Sequence, residues 1–151
     1  FDMALHEVHA RCQRYGGQAS LLILDMSRFK AINDTYGHDV GDRALKRVAE
    51  GLDRCLRQTD SAYRLGGDEF AVILPETPYR GARRLAGRLV EWLHQHPLHE
   101  SGGELVPLRA NIGMAQWRRD EGRDEWFRRA DQALYGSREG RAGNEPLGRL
   151  A

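Results

Sequence analysis

Cysteine is nearly absent. Only Cys12 and Cys55 occur in 151 residues, and they lack the paired spacing of a zinc site or a disulfide framework. They read as reduced thiols, which points to a cytoplasmic setting. Long apolar runs are missing too: none has the length to cross a bilayer, and residues 1–14 are too charged for a secretory leader, so no membrane contact is expected of this segment. A charge imbalance is also lacking. The 23 basic and 22 acidic side chains leave a net charge of +1, which argues against a dedicated nucleic-acid binder. Lysine is scarce, with Lys30 and Lys46 the only two among those 23 basic residues, so a lysine inside a motif is not background. The chain opens on Phe1 and not on methionine; the expectation is a fragment whose preceding part would hold a sensor domain or a membrane anchor. What remains is ordinary, 40% hydrophobic and 30% charged, which suits one domain with one core.

The chain is organised around Arg64-Leu65-Gly66-Gly67-Asp68-Glu69-Phe70. Two glycines between apolar runs read as a tight hairpin turn, because glycine accepts positive φ without steric cost. Residues 61–65 are strand-like, and residues 70–74 form a buried-strand run ended by Pro75. Asp68 and Glu69 then project from the tip of a rigid hairpin, where two adjacent carboxylates repel each other unless a cation sits between them. Mg²⁺, a hard cation with oxygen ligands, is the natural candidate. Taken alone, the hairpin reads better as a solvated acidic turn. A second acid changes the weighting: residues 19–24 are apolar and β-prone and end at Asp25, a carboxylate at the C-terminal end of an expected central strand.

The rest of the chain supplies helices and further strands. Residues 1–15 carry Leu5, Val8 and Cys12 at helical spacing, stopped by Gly16 and Gly17. This helix, within residues 1–17, reads as a connector to whatever precedes. Ser27 is expected to cap a short helix running to Tyr36, with Gly37 as its stop. A second helix over residues 40–57 has Leu45, Val48, Ala49, Leu52 and Leu56 as its apolar stripe. Pro78 starts a third, which ends before Pro97. Ser101-Gly102-Gly103 reads as a turn, residues 105–108 and 110–117 as strands, and residues 123–139 as a last helix. After the first helix the order is βααββαββα. It predicts a mixed, largely antiparallel sheet flanked by helices, an α/β or α+β sandwich. No internal repeat or linker interrupts residues 18–144, and residues 145–151 read as a frayed tail.

The stretch from Asp25 through Ser27, Arg28, Phe29, Lys30, Ile32, Asn33, Asp34, Gly37, His38, Gly41 and Asp42, followed by Gly66-Gly67-Asp68-Glu69-Phe70, resembles the GGDEF domain, the bacterial diguanylate cyclase. Two long motifs in the right order and spacing are not plausibly chance. The resemblance covers residues 19–144. It implies the ferredoxin-like palm core of nucleotide cyclases and polymerases. It also implies an enzyme that condenses two GTP into cyclic di-GMP with release of two pyrophosphates. Two Mg²⁺ ions, with Mn²⁺ as a substitute, would be held by Asp25, the Met26 main chain and Asp68, with Glu69 as second acid or proton acceptor. A catalytically silent module that binds GTP or cyclic di-GMP is the alternative; degenerate relatives usually have a broken hairpin signature, and here it is intact.

The substrate contacts follow the same motifs. Arg28, Phe29 and Lys30 fall where exposed helix N–H groups and the macrodipole suit a triphosphate, and Lys30 adds a point charge. Asn33 and Asp42 would be brought together by the turn at Gly37. Asp42 can accept from guanine N1–H and the exocyclic amine, whereas adenine presents an acceptor there. His38 either contacts substrate or caps the second helix. Arg138 stands where the family has a lysine, and Arg141 follows three residues later where the family leaves four; both are assigned to phosphate. Ser27 replaces an acid found in many members, and Asn111-Ile112-Gly113-Met114 replaces Ser-Ile-Gly-Val. Catalysis would need an antiparallel homodimer, one GTP in each domain. Arg57-Gln58-Thr59-Asp60, at the end of the second helix, resembles the family's product-inhibition site, with Arg57 and Asp60 as ligands of cyclic di-GMP.

Overall fold

The computed structural model describes residues 1–139. Helix α1 (Asp2–Tyr15) leads into strand β1 (Ala19–Met26), then helices α2 (Phe29–Tyr36) and α3 (His38–Cys55). A hairpin follows, β2 (Ser61–Gly66) and β3 (Glu69–Pro75), then helix α4 (Tyr79–Gln95), the short strands β4 (Leu98–His99) and β5 (Leu105–Val106), strand β6 (Ala110–Gln116) and helix α5 (Arg123–Glu139). Four strands form one sheet in the order β2-β3-β1-β6, with every pairing antiparallel. The chain crosses from β1 through α2 and α3 to β2, and from β3 through α4 to β6. That is the βαββαβ path of a ferredoxin-like core, and the expected helix-flanked antiparallel sheet is observed.

Alternation along the strands divides the core in two. Leu22, Leu24, Phe70, Val72, Ile112 and Met114 face α2, α3 and α4. Leu21, Ile23, Ala71, Ile73 and Ala115 face α1 and α5, where Trp126 is fully buried. All eight residues of β1 are buried, because the strand has a neighbour on each side and helices on both faces. Each fully buried leucine or isoleucine there contributes roughly 1.5–3 kcal/mol relative to an exposed one. Helix α1 docks through Leu5 and Cys12, and His9 Nε2 donates to the Glu121 carbonyl at 2.8 Å. Glu121 in turn accepts from Arg129 of α5.

Several local expectations are corrected. Ser27 does not cap α2: its N–H donates to Arg109 O at 2.8 Å and so extends the β1–β6 pairing. The turn is made one residue later by Arg28, in the left-handed region at φ 58°. Helix α3 begins at His38, without a side-chain cap, and ends at Cys55; Leu56 is extended, so Arg57 and Asp60 lie in a turn beyond the helix and not at its end. Ala49 is exposed. The strand expected over residues 105–108 is only Leu105–Val106, cut short by Pro107. It pairs with β4, a two-residue strand too short to leave a pattern. Residues 140–151, which include Arg141 and the expected tail, lie outside the described residues.

Candidate active site

The register of the sheet sets three polar side chains in one rung. Asp25 on β1 is paired with Glu69 on β3 and with Asn111 on β6. The odd-numbered residues of these strands face α5, so all three project from the α5 face at the end of the sheet. Asp25 is 7% exposed, and burial of a charge requires partners. Asn111 Nδ2 donates to Asp25 Oδ1 at 2.8 Å, and Arg138 Nε donates to Asp25 Oδ2 at 2.6 Å. Arg138 Nη2 also meets Asp25 Oδ2 and bridges to Glu69 Oε1 at 3.2 Å. Burial works against the Arg138 charge, yet the hydrogen bonds and attraction of Asp25 and then Glu69 raise its pKa above the ordinary arginine value.

Gly113 explains why α5 reaches this rung. A Cβ there would lie 2.0 Å from Leu134 N and 2.3 Å from Ala130 O. The helix backbone thus rests directly on the strand, and Arg138, one turn past Leu134, falls over the sheet end.

The hairpin tip is held separately. Gly66 at φ 150° and Gly67 at φ 52° make the turn, and the β2–β3 register shifts between Arg64 and Gly66. Arg64 Nε and Nη2 both donate to Gly67 O, at 2.9 and 2.7 Å. Glu69 is the first residue of β3, opposite Asp25, whereas Asp68 sits in the turn beside it. The Met26 side chain is buried toward α2 and α3, so only its main chain is available to a ligand. Among the described residues, no group of three or more His, Cys, Asp or Glu forms a metal cage. The Asp25 and Glu69 pair nevertheless already holds a cationic group in common, the Arg138 guanidinium. Its hard carboxylate oxygens fit Mg²⁺ with water and phosphate oxygens completing the shell.

On the opposite face, Phe29 and Lys30 open α2, whose first turn has no side-chain cap. The turn at Gly37, φ 92°, folds α3 back so that Asn33 lies against Gly41, the residue before Asp42. Asn33 Oδ1 is buried without a hydrogen-bond partner. Lys30, His38 and Asp42 are exposed. An open groove of about 340 Å³ between α3 and β2 is lined by Leu45, Lys46, Tyr63, Arg64 and Phe70, among others.

Arg57 and Asp60 are joined in their turn. Arg57 N donates to Asp60 Oδ2 at 2.9 Å, and Asp60 N donates to Arg57 O at 3.0 Å. The other oxygen, Asp60 Oδ1, is buried and unpartnered, while Arg57 is exposed. Arg88 of α4 donates to Cys55 O at 2.9 Å, at the same corner. Sequence reasoning missed Arg88, Asn111 as a partner of Asp25, and the cradle at Gly41; the signal for Asn111 was its departure from the serine of the related motif.

The sequence matches the family described as Diguanylate cyclase, GGDEF domain, over residues 1–144. It is 41% identical over 143 residues to diguanylate cyclase DgcP of Pseudomonas aeruginosa, covering 95% of this chain and 21% of that protein. It is 40% identical over 136 residues to probable diguanylate cyclase DgcC of Escherichia coli, covering 89% of this chain and 36% of that protein. The chain therefore spans well under half the length of these relatives. Among solved structures, the GGDEF domain of DgcB from Caulobacter crescentus, in complex with c-di-GMP, superposes with a TM-score of 0.89 at 29% identity, over 93% of this chain and 84% of that one. Diguanylate cyclase SiaD of Pseudomonas aeruginosa, in complex with its activator SiaC, gives 0.86 at 33% identity, over 92% and 53%. Motif, fold and relatives agree, and the chain belongs to the GGDEF domain family of diguanylate cyclases.

Proposed function

We propose that the chain condenses two GTP into cyclic di-GMP with release of two pyrophosphates, each domain of an antiparallel homodimer presenting one GTP to the other. The observation that carries this reading is the Glu69–Asp25–Asn111 rung, a buried acid beside a half-exposed one, both in contact with a cationic group. Asp25, Glu69, Asp68 and the Met26 carbonyl would hold two Mg²⁺ ions, or Mn²⁺ in their place. When bound, the metal supplies Lewis-acid polarisation of the α-phosphate and favours the deprotonated 3′-hydroxyl. Asn111 orients the Asp25 carboxylate. Lys30 and the uncapped N–H groups at the start of α2, with Arg28 and Phe29, attract the triphosphate. Arg138, already beside the carboxylates, is within reach of phosphate once nucleotide enters, and Arg141 is assigned the same role.

Asn33 and Asp42 read guanine. Gly37 is the N-cap of α3 and the exposed His38 follows it; His38 is assigned to substrate. Incubation of the purified chain with GTP and Mg²⁺, followed by chromatography, should yield cyclic di-GMP and pyrophosphate. The initial rate should rise faster than linearly with protein concentration when the domain is dilute. GTP binding without product at any concentration would favour a silent nucleotide-binding module instead.

Product inhibition is assigned to Arg57 and Asp60. Arg57 offers a bidentate donor to the guanine O6/N7 edge or to phosphate, and the buried unpartnered Oδ1 of Asp60 is an acceptor in waiting. Cyclic di-GMP should inhibit non-competitively with GTP, and Arg57→Ala should relieve inhibition with turnover retained. An enzyme fully active at high product concentration would reduce both to surface residues.

A further inference from the structure

We propose that Gly41 is a specificity-positioning residue: the space left by its missing side chain holds the Asn33 carboxamide in the orientation that reads the base. The inference rests on the assignment of Asn33 to guanine made above. A Cβ on Gly41 would lie 1.8 Å from Asn33 Oδ1, 2.9 Å from its Cγ and 3.4 Å from Phe29 Cε2. The first two distances are far inside van der Waals contact. Nothing in the backbone asks for glycine here. Gly41 lies within α3 and is not among the residues with positive φ, and a glycine inside a helix weakens it relative to alanine. What glycine provides is room, and the group using that room is polar. Gly51, further along the same helix, differs: its missing Cβ makes room for the apolar Trp92 and Leu89.

The orientation has a chemical sense. Asn33 Oδ1 is turned inward, buried and unpartnered, whereas Nδ2 is not among the buried unpaired atoms. With the oxygen against Gly41, the amide presents its donor outward, and Asp42, the next residue along α3, presents an acceptor. A donor for guanine O6 beside an acceptor for N1–H and the exocyclic amine matches guanine; adenine has an amine and a bare ring nitrogen at those positions. A methyl group at residue 41 would rotate the amide away, leave O6 without its donor and cost GTP affinity while ATP affinity stays unchanged.

The test measures binding of α,β-methylene GTP and α,β-methylene ATP, which cannot release pyrophosphate, to wild type, Gly41→Ala, Asn33→Ala and the double variant. The expected result is a loss of roughly tenfold in the GTP-to-ATP affinity ratio for each single variant, with no further loss in the double variant. A glycine needed only for helix packing would lower the melting temperature and leave the ratio alone. If Asn33→Ala loses the preference and Gly41→Ala keeps it, the role of Gly41 is overturned and the reading of Asn33 stands. If Asn33→Ala keeps the preference, the base is read elsewhere and both ideas fall. Should Gly41→Ala not fold, the double variant decides: with the colliding amide removed it must fold and bind as Asn33→Ala does, and failure to fold overturns the proposal.

Discussion

The two faces of the sheet end in polar sites of opposite character. On the α5 face, both Asp25 oxygens are satisfied, by Asn111 and by Arg138, and Glu69 shares the same guanidinium. On the α2–α3 face, the Asn33 oxygen is buried with no partner, and Lys30, His38 and Asp42 stand exposed. A satisfied buried network is rigid and holds its geometry without ligand, whereas an orphaned buried polar atom costs free energy. The first site is built around charge that the protein itself balances. The second leaves Lys30, His38 and Asp42 open to solvent, where a ligand can reach them.

The sharpest way to break this contrast is at Asp25. Asp25→Ala should reduce product formation by about a hundred- to a thousandfold, since losing a group that organises charge in a transition state costs about 10²–10³-fold. Circular dichroism should show the fold retained, and wild-type turnover in this variant would remove the rung from the chemistry.

Gly113→Ala should be next in size and should act on stability. The added methyl meets helix backbone at Leu134 and Ala130, not a movable side-chain end, and overpacking of this kind costs about 1–3 kcal/mol. Urea denaturation would measure it. An unchanged midpoint would mean that α5 does not depend on this close contact.

On the other face, Asp42→Ala should lower GTP preference over ATP by roughly tenfold, the effect of one unpaired polar group of about 1–3 kcal/mol. Competition binding with the two nucleotides checks it, and equal preference in both proteins would empty the pocket of its meaning. The smallest effect is expected at Arg138. Partly exposed ion pairs are worth about 0.2–1 kcal/mol, so Arg138→Gln should tighten nucleotide-free Mn²⁺ binding by at most about fivefold, read by paramagnetic resonance. Weaker Mn²⁺ binding would mean that the guanidinium does not compete with metal for the pair.

Much of this was legible because the relevant signals are local. An apolar run ending in Asp25, two glycines before Asp68, the amphipathic stripe of α3 and the Pro78 start of α4 each announce an element within a few residues. What stayed hidden is set by distance. Whether Asp68 or Glu69 faces Asp25 depends on the register of β3 against β1, and on the irregularity between Arg64 and Gly66 in the hairpin leading into it. Neither leaves a mark in the spacing. The Arg28 conformation was missed because Ser27, a good cap by chemistry, is drawn into pairing by Arg109. Trp126 and Gly41 depend on what packs across from them, as does the bridge from Arg138 to both acids.

The burial of β1 has a consequence for motion. Its amides lie between β3 and β6 with helices above and below, so no local opening separates Asp25 from its neighbours without dismantling the domain. Amide hydrogen exchange on the core of this strand should therefore proceed only through global unfolding, while Gly67 and Asp68 in the turn exchange through small fluctuations. One acid of the pair is thus anchored in the strand expected to open last, and its partner begins where the hairpin turn ends.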